Sequence, residues 1–519
     1  MDGVESYDLA VIGSGINGAG IARDAAGRGL KVLLVDKGDI GAATSSASSK
    51  LIHGGLRYLE QLEFALVRES LAEREILLAT APHLVHPLTF ILPHAEGGRP
   101  VWALRLGLWL YDHLGGRRRL PPSHSVNLAR DPLGGALRPG FARGFTYADC
   151  RVDDSRLVIV TALDAARHGA DVHPRTTCVS AHRGPDFWTL TLQASNRTRQ
   201  TVTARVVVNA TGPWVATVDR ELLHVENPGR VRLVKGSHIV VPRLYNGDHA
   251  YILQTPDHRV VFAIPHENDF TLIGTTEVEL DAMPDKPEAS PSEIDYLCRV
   301  VTAYFARTVT PADVVHSFAG VRPLYGKPGT PATKVSRDYV LRLDHRGGAP
   351  ALSVYGGKIT TYRRLAEAAM ARLSPFFPGL GPAWTREATL PGGDFGGDRG
   401  GDRGGDRGGD DFDSFLGRML LEYPWLPAPL CTRYARTYGT DMVKIVDSHH
   451  RLEDLGEDLG QGLHEAELEY LVNREWAQTA EDILWRRTKI GLRASPEIVV
   501  KLDAWLALRA GKSKPWETS

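Results

Sequence analysis

Residues 7–36 read YDLAVIGSGINGAGIARDAAGRGLKVLLVD, and the spacing of three glycines in this stretch decides the fold. The apolar run 7–13 predicts a buried parallel strand, the Ala- and Gly-rich segment Asn17–Gly27 a helix, and KVLLVD (31–36) a second buried strand. Together they make a βαβ unit. Its first turn, 13-GSGING-18, is a G-x-G-x-x-G. Gly13 permits the tight turn, Gly15 lets a pyrophosphate approach the backbone, and Gly18 lets helix and strand pack closely. The helix N-terminus then presents unpaired N–H groups and a positive dipole end to the phosphates. Asp36, ending the second strand, is placed to accept a hydrogen bond from a ribose hydroxyl. A G-x-G-x-x-G alone is weak, but strand, helix and acid stand in register here, so a dinucleotide site is expected.

The rest of the chain sets the scale of the molecule around that unit. Its 519 residues are 43% hydrophobic and 24% charged, the balance of a soluble globular protein of two to four domains. A formal net charge of −1 offers no global field for nucleic acid. Cys150, Cys178, Cys298 and Cys431 are scattered without metal-ligand spacing, which fits a reducing compartment and no metal site. The acidic N-terminus does not read as a signal peptide. The most apolar run, 101-VWALRLGLWLYDHL-114, is interrupted by Arg105 and is too short to span a bilayer. With Arg117–Arg119 after it, the run reads first as a buried helix with a solvated basic turn, and second as a monotopic membrane contact.

Three domains and a linker are expected. A charged amphipathic helix covers 59–80, with Leu62, Leu66 and Leu71 on its apolar side. Beyond residue 185 the pattern turns to antiparallel strands, with a helix over 292–306 and another near Thr360. Residues 392–411, GGDFGGDRGGDRGGDRGGDD, repeat every four residues and read as a flexible linker. Residues 412–519 read as a separate helical domain.

FAD fits the layout better than NAD. The dinucleotide motif lies at the extreme N-terminus, and the chain returns with two further glycine-bearing strand ends. These are 206-VVVNATGPW-214, with Gly212, and 352-LSVYGGKITTYRRLAEAA-369, with Gly357. A helix opening at Thr360 or Thr361 would aim its positive end at a flavin's N1–C2=O region.

Nine segments then carry a resemblance: GSGINGAGIARDAAGRGLKVLLVDKGD, ATSSASSKLIHGGLRYLE, YADCRVDDSRL, VNATGPWV, KGSHIVVP, IGTTEVE, GVRPLYG, SRDY and YGGKITTYRRLAE. In this order they resemble the FAD-dependent glycerol-3-phosphate dehydrogenases of the aerobic respiratory type. The resemblance implies an α/β + α architecture: a Rossmann-like FAD-binding domain of the glycine oxidase and D-amino acid oxidase kind, an antiparallel β-rich substrate cap, and a C-terminal helical domain. The expected division is 1–80, 145–225 and 340–390 for the FAD domain, and 81–144 and 226–339 for the cap. It also implies non-covalent FAD, oxidation of sn-glycerol 3-phosphate to dihydroxyacetone phosphate, and electrons passed to membrane quinone. A cytoplasmic protein held peripherally on the inner face of the cytoplasmic membrane, compatible with a homodimer, completes the expectation. The GGDR repeat departs from the family pattern.

The chemistry assigns residues. A phosphate dianion calls for Arg forks and charge-assisted hydrogen bonds; the motif matches point to Arg57 and Arg337, with Tyr58 and Thr275 as hydroxyl partners. Arg322 would polarise the C2 oxygen. The secondary alcohol must lose its proton as hydride leaves, through a base or a hydrogen-bonded relay; His238 and His53 are the candidates, and Lys358 would contact flavin or substrate oxygen. The cofactor cradle comprises Gly13, Gly15, Asn17, Gly18 and Asp36; Thr44, Ser45, Ser46, Ser48, Lys50, Leu51, His53, Gly54 and Gly55; and Gly212, Gly357, Lys358 and Thr360. Asp153-Asp154 read as a helix N-cap with an acidic first turn. The competing readings are an oxidase using O₂, an amino-acid or amine oxidase needing one Arg for a carboxylate, and a non-catalytic flavin- or RNA-associated protein.

Overall fold

The computed structural model describes residues 4–94, 99–116, 119–226, 228–255, 259–326, 338–396 and 411–510. The βαβ unit forms as Glu5–Ile12, Ile16–Gly27 and Val32–Val35. Glu5–Ile12 pairs in parallel with Val32–Val35 on one side and with Arg199–Asn209 on the other. The eight-stranded sheet runs in the order 340–344, 351–355, 199–209, 5–12, 32–35 and 171–173, and the hairpin 176–194 pairs beside 199–204. Both faces are covered, which is why these strands read as continuous apolar runs. Leu9 and Val11 pack toward the helices Ile16–Gly27, Asp154–Arg167 and Tyr362–Leu373, and Ala10 and Ile12 toward Trp188 and Leu190.

The second sheet has ten strands, ordered 278–280, 231–242, 270–274, 260–266, 249–254, 85–94, 143–152 and 51–52. Strand 316–325 also pairs along 231–242, in a ten-residue antiparallel register. The expected helix over 292–306 is Pro291–Tyr304, started by a capping box between Ser290 and Glu293. Residues 59–80 divide into a 3₁₀ turn, Leu56–Gln61, and a helix, Phe64–Thr80; Leu66 and Leu71 are buried, whereas Leu62, at the junction of the two elements, is exposed.

Two domain edges differ from the expectation. Strand Arg143–Val152 pairs along its full length with Val85–His94 and so belongs to the cap sheet, which moves the return of the FAD domain to the helix Asp154–Arg167. Leu51–Ile52 pairs with Cys150 and Arg151 of that strand, stitching the proposed flavin segment to the cap. The linker also begins later than residue 392. Gly392 packs against the Tyr438 carbonyl and Phe395 stacks on Phe415 at 4.4 Å, inside the core of the helical domain. Residues 397–410 lie outside the described residues.

The helical domain has its own core, built from Phe415, Tyr434, Tyr438, Leu468 and Leu471 among others. It is nonetheless fastened to the FAD domain by buried ion pairs. Arg486 and Arg487 both donate to Asp39, Arg175 donates to Asp482, and Arg156 to Glu475. Desolvated charges tolerate this only when each is paired and hydrogen-bonded, as these are.

Candidate active site

The glycine turn has the shape the sequence anticipates. Gly13 sits at φ +106°, and a side chain there would meet the Ala210 carbonyl oxygen at 2.5 Å. A Cβ on Gly18 would lie 1.8 Å from the Gly13 oxygen, so the helix can pack this close only with glycine at that position. The Asp36 carboxylate accepts from Ser14 N at 2.7 Å and from Gly38 N at 2.8 Å. It therefore braces the turn through its own backbone, a role beyond the expected ribose contact. Burial pushes this carboxyl upward, and the N–H donors of Gly38 and Ser14 oppose the shift.

The residues present fit a bound dinucleotide. Helix Ile16–Gly27 has no side-chain cap at Gly15, and its first N–H, on Ile16, donates to Ser45 Oγ at 3.0 Å. Asn17 Nδ2 donates to the Gly356 carbonyl, while its buried Oδ1 has no hydrogen-bond partner among the described residues. Gly356 and Gly357 both take positive φ, and a Cβ on Gly357 would strike Asn17 at 2.8 Å. Gly212, also at positive φ, opens the turn after Asn209.

The segment 44–58 joins this cradle to the cap. Thr44 Oγ1 donates to the Val321 carbonyl, and Ser46 Oγ to Ala43 O. Ser48 donates through both N and Oγ to Asp154 Oδ2, and Lys50 Nζ reaches Asp154 Oδ1 at 2.7 Å. Asp154 is thus the anchor of the segment, which its reading as a first-turn acid does not reveal; Asp153 does cap the helix by accepting from Arg156 N. His53 N donates to Thr360 Oγ1 at 3.3 Å. Gly54 N donates to Tyr111 Oη at 2.8 Å, and Tyr111 in turn bonds to the buried Asp149, which is also paired with Arg74. Gly54 leaves no room for a Cβ between Leu71 and Tyr111.

The expected substrate residues converge around a carboxylate that sequence reasoning passed over. Arg57 Nη1 and Arg322 Nη1 each stand 3.8 Å from Glu277 Oε1. Arg322 Nη2 donates to Thr275 Oγ1 at 3.4 Å, and Gly236 makes the space, since a Cβ there would collide with both. Lys358 Nζ lies 3.9 Å over the Tyr58 ring. The available signal for Glu277 was its place two residues after Thr275 in IGTTEVE. Arg337 lies outside the described residues.

His238 is buried rather than open to the site. Its ring stacks on Phe318 at 4.9 Å, and Nε2 shares a 2.9 Å hydrogen bond with Ser49 Oγ. Burial, with Arg322 and Lys50 adding to it, pushes its pKa down to about 3. The imidazole is therefore neutral in neutral solution, with its protonated form disfavoured by burial and by Arg322 and Lys50, and the Ser49 hydroxyl is its contact with the segment 44–58.

Comparisons with known proteins agree with this layout. A family model described as FAD dependent oxidoreductase matches residues 8–363, and one described as the C-terminal domain of alpha-glycerophosphate oxidase matches 384–511. Glycerol-3-phosphate dehydrogenase of Pseudomonas aeruginosa is 51% identical, over 97% of this chain and 95% of that one. Aerobic glycerol-3-phosphate dehydrogenase of Escherichia coli is 46% identical over 97% and 98%. D-erythritol 1-phosphate dehydrogenase of Brucella abortus is 49% identical over 93% and 94%. Among solved structures, the glycerol-3-phosphate dehydrogenase from Bacillus halodurans complexed with FAD superposes with a TM-score of 0.74 at 24% identity, covering 99% of this chain and 96% of that one. The cofactor is FAD. On relatives this similar from end to end, the chain belongs to the FAD-dependent glycerol-3-phosphate dehydrogenase family.

Proposed function

We propose that the protein oxidises sn-glycerol 3-phosphate at C2 to dihydroxyacetone phosphate and delivers the electrons to a membrane quinone. The observation that carries this reading is the pair of guanidinium groups, Arg57 and Arg322, turned on one point beside Thr275. An amino-acid oxidase needs one Arg for its monoanionic carboxylate, whereas a phosphate dianion calls for several cations. Arg57 with Tyr58 holds the phosphate, and Arg322 with Thr275 fixes the C2 oxygen. Lys358 places its ammonium over the Tyr58 ring. The C2 hydroxyl proton passes to Ser49 Oγ as Ser49 gives its own to His238 Nε2, so that Ser49 stays neutral and His238 carries the positive charge until it releases the proton. When bound, FAD supplies the two-electron acceptor for the C2 hydride. FAD is held without a covalent bond, with Gly13–Gly18, Ser45 and Gly357 against it.

Membrane contact is assigned to the helix Val101–Leu114. Trp102, Leu106 and Trp109 are 70%, 50% and 55% exposed and share one face, contrary to the first reading of this run as a buried helix. Two tryptophans and a leucine on an exposed helical face suit insertion at the headgroup level. Among the described residues, no helix is long and apolar enough to cross a membrane. We place the protein on the cytoplasmic surface of the membrane, with quinone reached from that side, and the exposed face of Trp102, Leu106 and Trp109 supports the membrane contact.

A second substrate reading, a longer polyol phosphate, is favoured by the relative named for D-erythritol 1-phosphate. Anaerobic flavin bleaching with glycerol 3-phosphate, erythritol phosphate and a panel of amino acids separates the readings. Rapid bleaching by glycerol 3-phosphate is expected. Bleaching by an amino acid alone would overturn the proposal, and peroxide formation outpacing quinone-analogue reduction would make the enzyme an oxidase.

A further inference from the structure

Ser49 and His238 lie 189 residues apart and share one 2.9 Å hydrogen bond. Each is backed by contacts that lead to the same turn of the helical domain. His238 stands opposite Phe318 across the strand pair 231–242 and 316–325, and the two rings stack at 4.9 Å and 13°. His316, two residues before Phe318, shares its face of the strand, with the ring centroids 6.2 Å apart. Trp485 of the helical domain stacks in turn on His316 at 4.2 Å and 19°. Gly491 makes room for the indole, since a Cβ there would meet the Trp485 ring at 2.6 Å. A neutral imidazole that accepts at Nε2 carries its proton on Nδ1, and Nδ1 of His238 has no hydrogen-bond partner among the described residues. Stacking, rather than an acceptor behind the ring, therefore orients this imidazole.

The serine is reached from the same turn. Ser49 stands between Ser48 and Lys50, both held by Asp154. The neighbours of Asp154 receive the buried ammonium of Lys489, which lies 2.9 Å from Asp153 Oδ1 and donates to Ser155 Oγ. Lys489 and Lys50 both take the left-handed backbone conformation, at φ +60° and +57°, which a residue with a side chain holds only when its surroundings impose it. Between Trp485 and Lys489, Arg486 and Arg487 are locked onto Asp39.

We propose that residues 485–489 of the helical domain position the proton relay, Trp485 setting the plane of the His238 ring and Lys489 the place of Ser49. This rests on the reading of Ser49 and His238 as the path of the C2 proton. Proton transfer needs its heavy atoms within hydrogen-bond reach and aligned, and two residues from distant segments keep that alignment best when one rigid element braces both. Phe318 joins the two routes, because Lys50 Nζ also stands 5.4 Å over its ring. Trp485 and Lys489 act through other side chains, so they are positioning residues.

Anaerobic bleaching of the FAD-loaded protein by glycerol 3-phosphate, followed by stopped flow, tests this in Trp485→Leu, Trp485→Phe and Lys489→Gln, each alone and combined with Ser49→Ala. Trp485→Leu and Lys489→Gln should each lower the limiting rate about tenfold, with FAD content and the half-saturating substrate concentration unchanged. Trp485→Phe keeps a stacked ring and should stay within about threefold of wild type. In the Ser49→Ala background neither Trp485→Leu nor Lys489→Gln should slow bleaching further, because the step they align is already lost. The proposal is overturned if both single variants bleach at the wild-type rate, or if their losses multiply in full with that of Ser49→Ala, as a general weakening of the fold would make them do. Should Lys489→Gln fail to take up FAD, Ser155→Ala removes one of the two Lys489 contacts and should cost about threefold, with the same refutation. The relay reading fails by a different pattern: Ser49→Ala bleaching at the wild-type rate refutes the proton path, and the positioning role with it.

Discussion

Asp154 offers the sharpest test of how the flavin segment is held. Its carboxylate is fully buried and takes four donors, Ser48 N at 3.2 Å, Ser48 Oγ at 2.8 Å, Ser155 N at 2.9 Å and Lys50 Nζ at 2.7 Å, and it lies in the first turn of a helix, at the positive dipole end. Replacing it with Asn keeps the shape but removes the charge and leaves Lys50 without its ion pair. Breaking a buried pair costs about 3–5 kcal/mol. Lys50 is 11% exposed and also bonds the Ser46 carbonyl, so part of that loss is recovered and about 2–3 kcal/mol remains. The segment 44–50 would then be ordered for only a fraction of the time, and apparent FAD affinity falls by that fraction. At about 1.4 kcal/mol per decade, Asp154→Asn should weaken FAD binding by roughly 30–150-fold. Titrating FAD into apoprotein by flavin fluorescence measures this directly. An affinity within threefold of wild type would show that the cradle is held by other contacts and would refute the reasoning.

Three further outcomes follow from the same geometry. His238→Gln should slow anaerobic flavin bleaching by about 10²–10³-fold with FAD content unchanged, and Ser49→Ala should share most of that loss; full-rate bleaching in both would transfer the proton to His53. Glu293 is raised by burial, but hydrogen bonds from Lys235, Thr276, Ser290 N and Ser237 outweigh this and hold it down at about 2 against an ordinary 4.5. Its folded pKa being the lower, its contribution is present above pH 4.5 and lost as pH falls toward 2; with solvent screening about 1–2 kcal/mol is involved, so Glu293→Gln should flatten that limb of the acid-unfolding curve. Trp102→Asp combined with Trp109→Asp should weaken vesicle binding by at least about 10²-fold, two large apolar side chains being worth roughly 3–6 kcal/mol, while bleaching by glycerol 3-phosphate in solution stays at the wild-type rate.

What could be read in the sequence was what depends on near neighbours. The turn 13–18 is legible because three glycines, a strand and a helix constrain one another within thirty residues, and the Cβ collisions at Gly13 and Gly18 are the physical form of that pattern. The capping of helices at Asp153 and Ser290 is equally local. Sheet membership is not. Strand Arg143–Val152 has the same apolar character whether it joins one sheet or the other, and only its pairing with Val85–His94 places it in the cap. The run 101–114 failed for a related reason, since periodicity marks an apolar face but not whether protein covers it; Trp102 and Trp109 remain exposed. The helical domain read as separate because its fastening is ionic and far apart in the chain, Asp39 meeting Arg486 and Arg487.

The site itself divides along the same line. Arginines, a glycine pair and a histidine were singled out because they stand in motifs of the resembled family and their residue types suit a phosphate and an alcohol. The acids that control them were missed, because a carboxylate in a sequence carries no sign of which cation it answers. Asp154 lies 104 residues from Lys50, Asp149 lies 95 from Gly54, and Glu277 lies between Arg57 and Arg322 only once strands 231–242 and 316–325 have paired. In each case the cation or donor belongs to a motif and the acid to the scaffold that aims it. The segment 44–58 illustrates the consequence. Its own residues touch the helix N-terminus through Ser45, His238 through Ser49 and Glu277 through Arg57. Its geometry, however, is imposed by Asp154 on one side and by Tyr111 with Asp149 on the other. Tyr111 sits on the helix that exposes Trp102 and Trp109, so the surface assigned to the membrane and the backbone at Gly54 share a single rigid element.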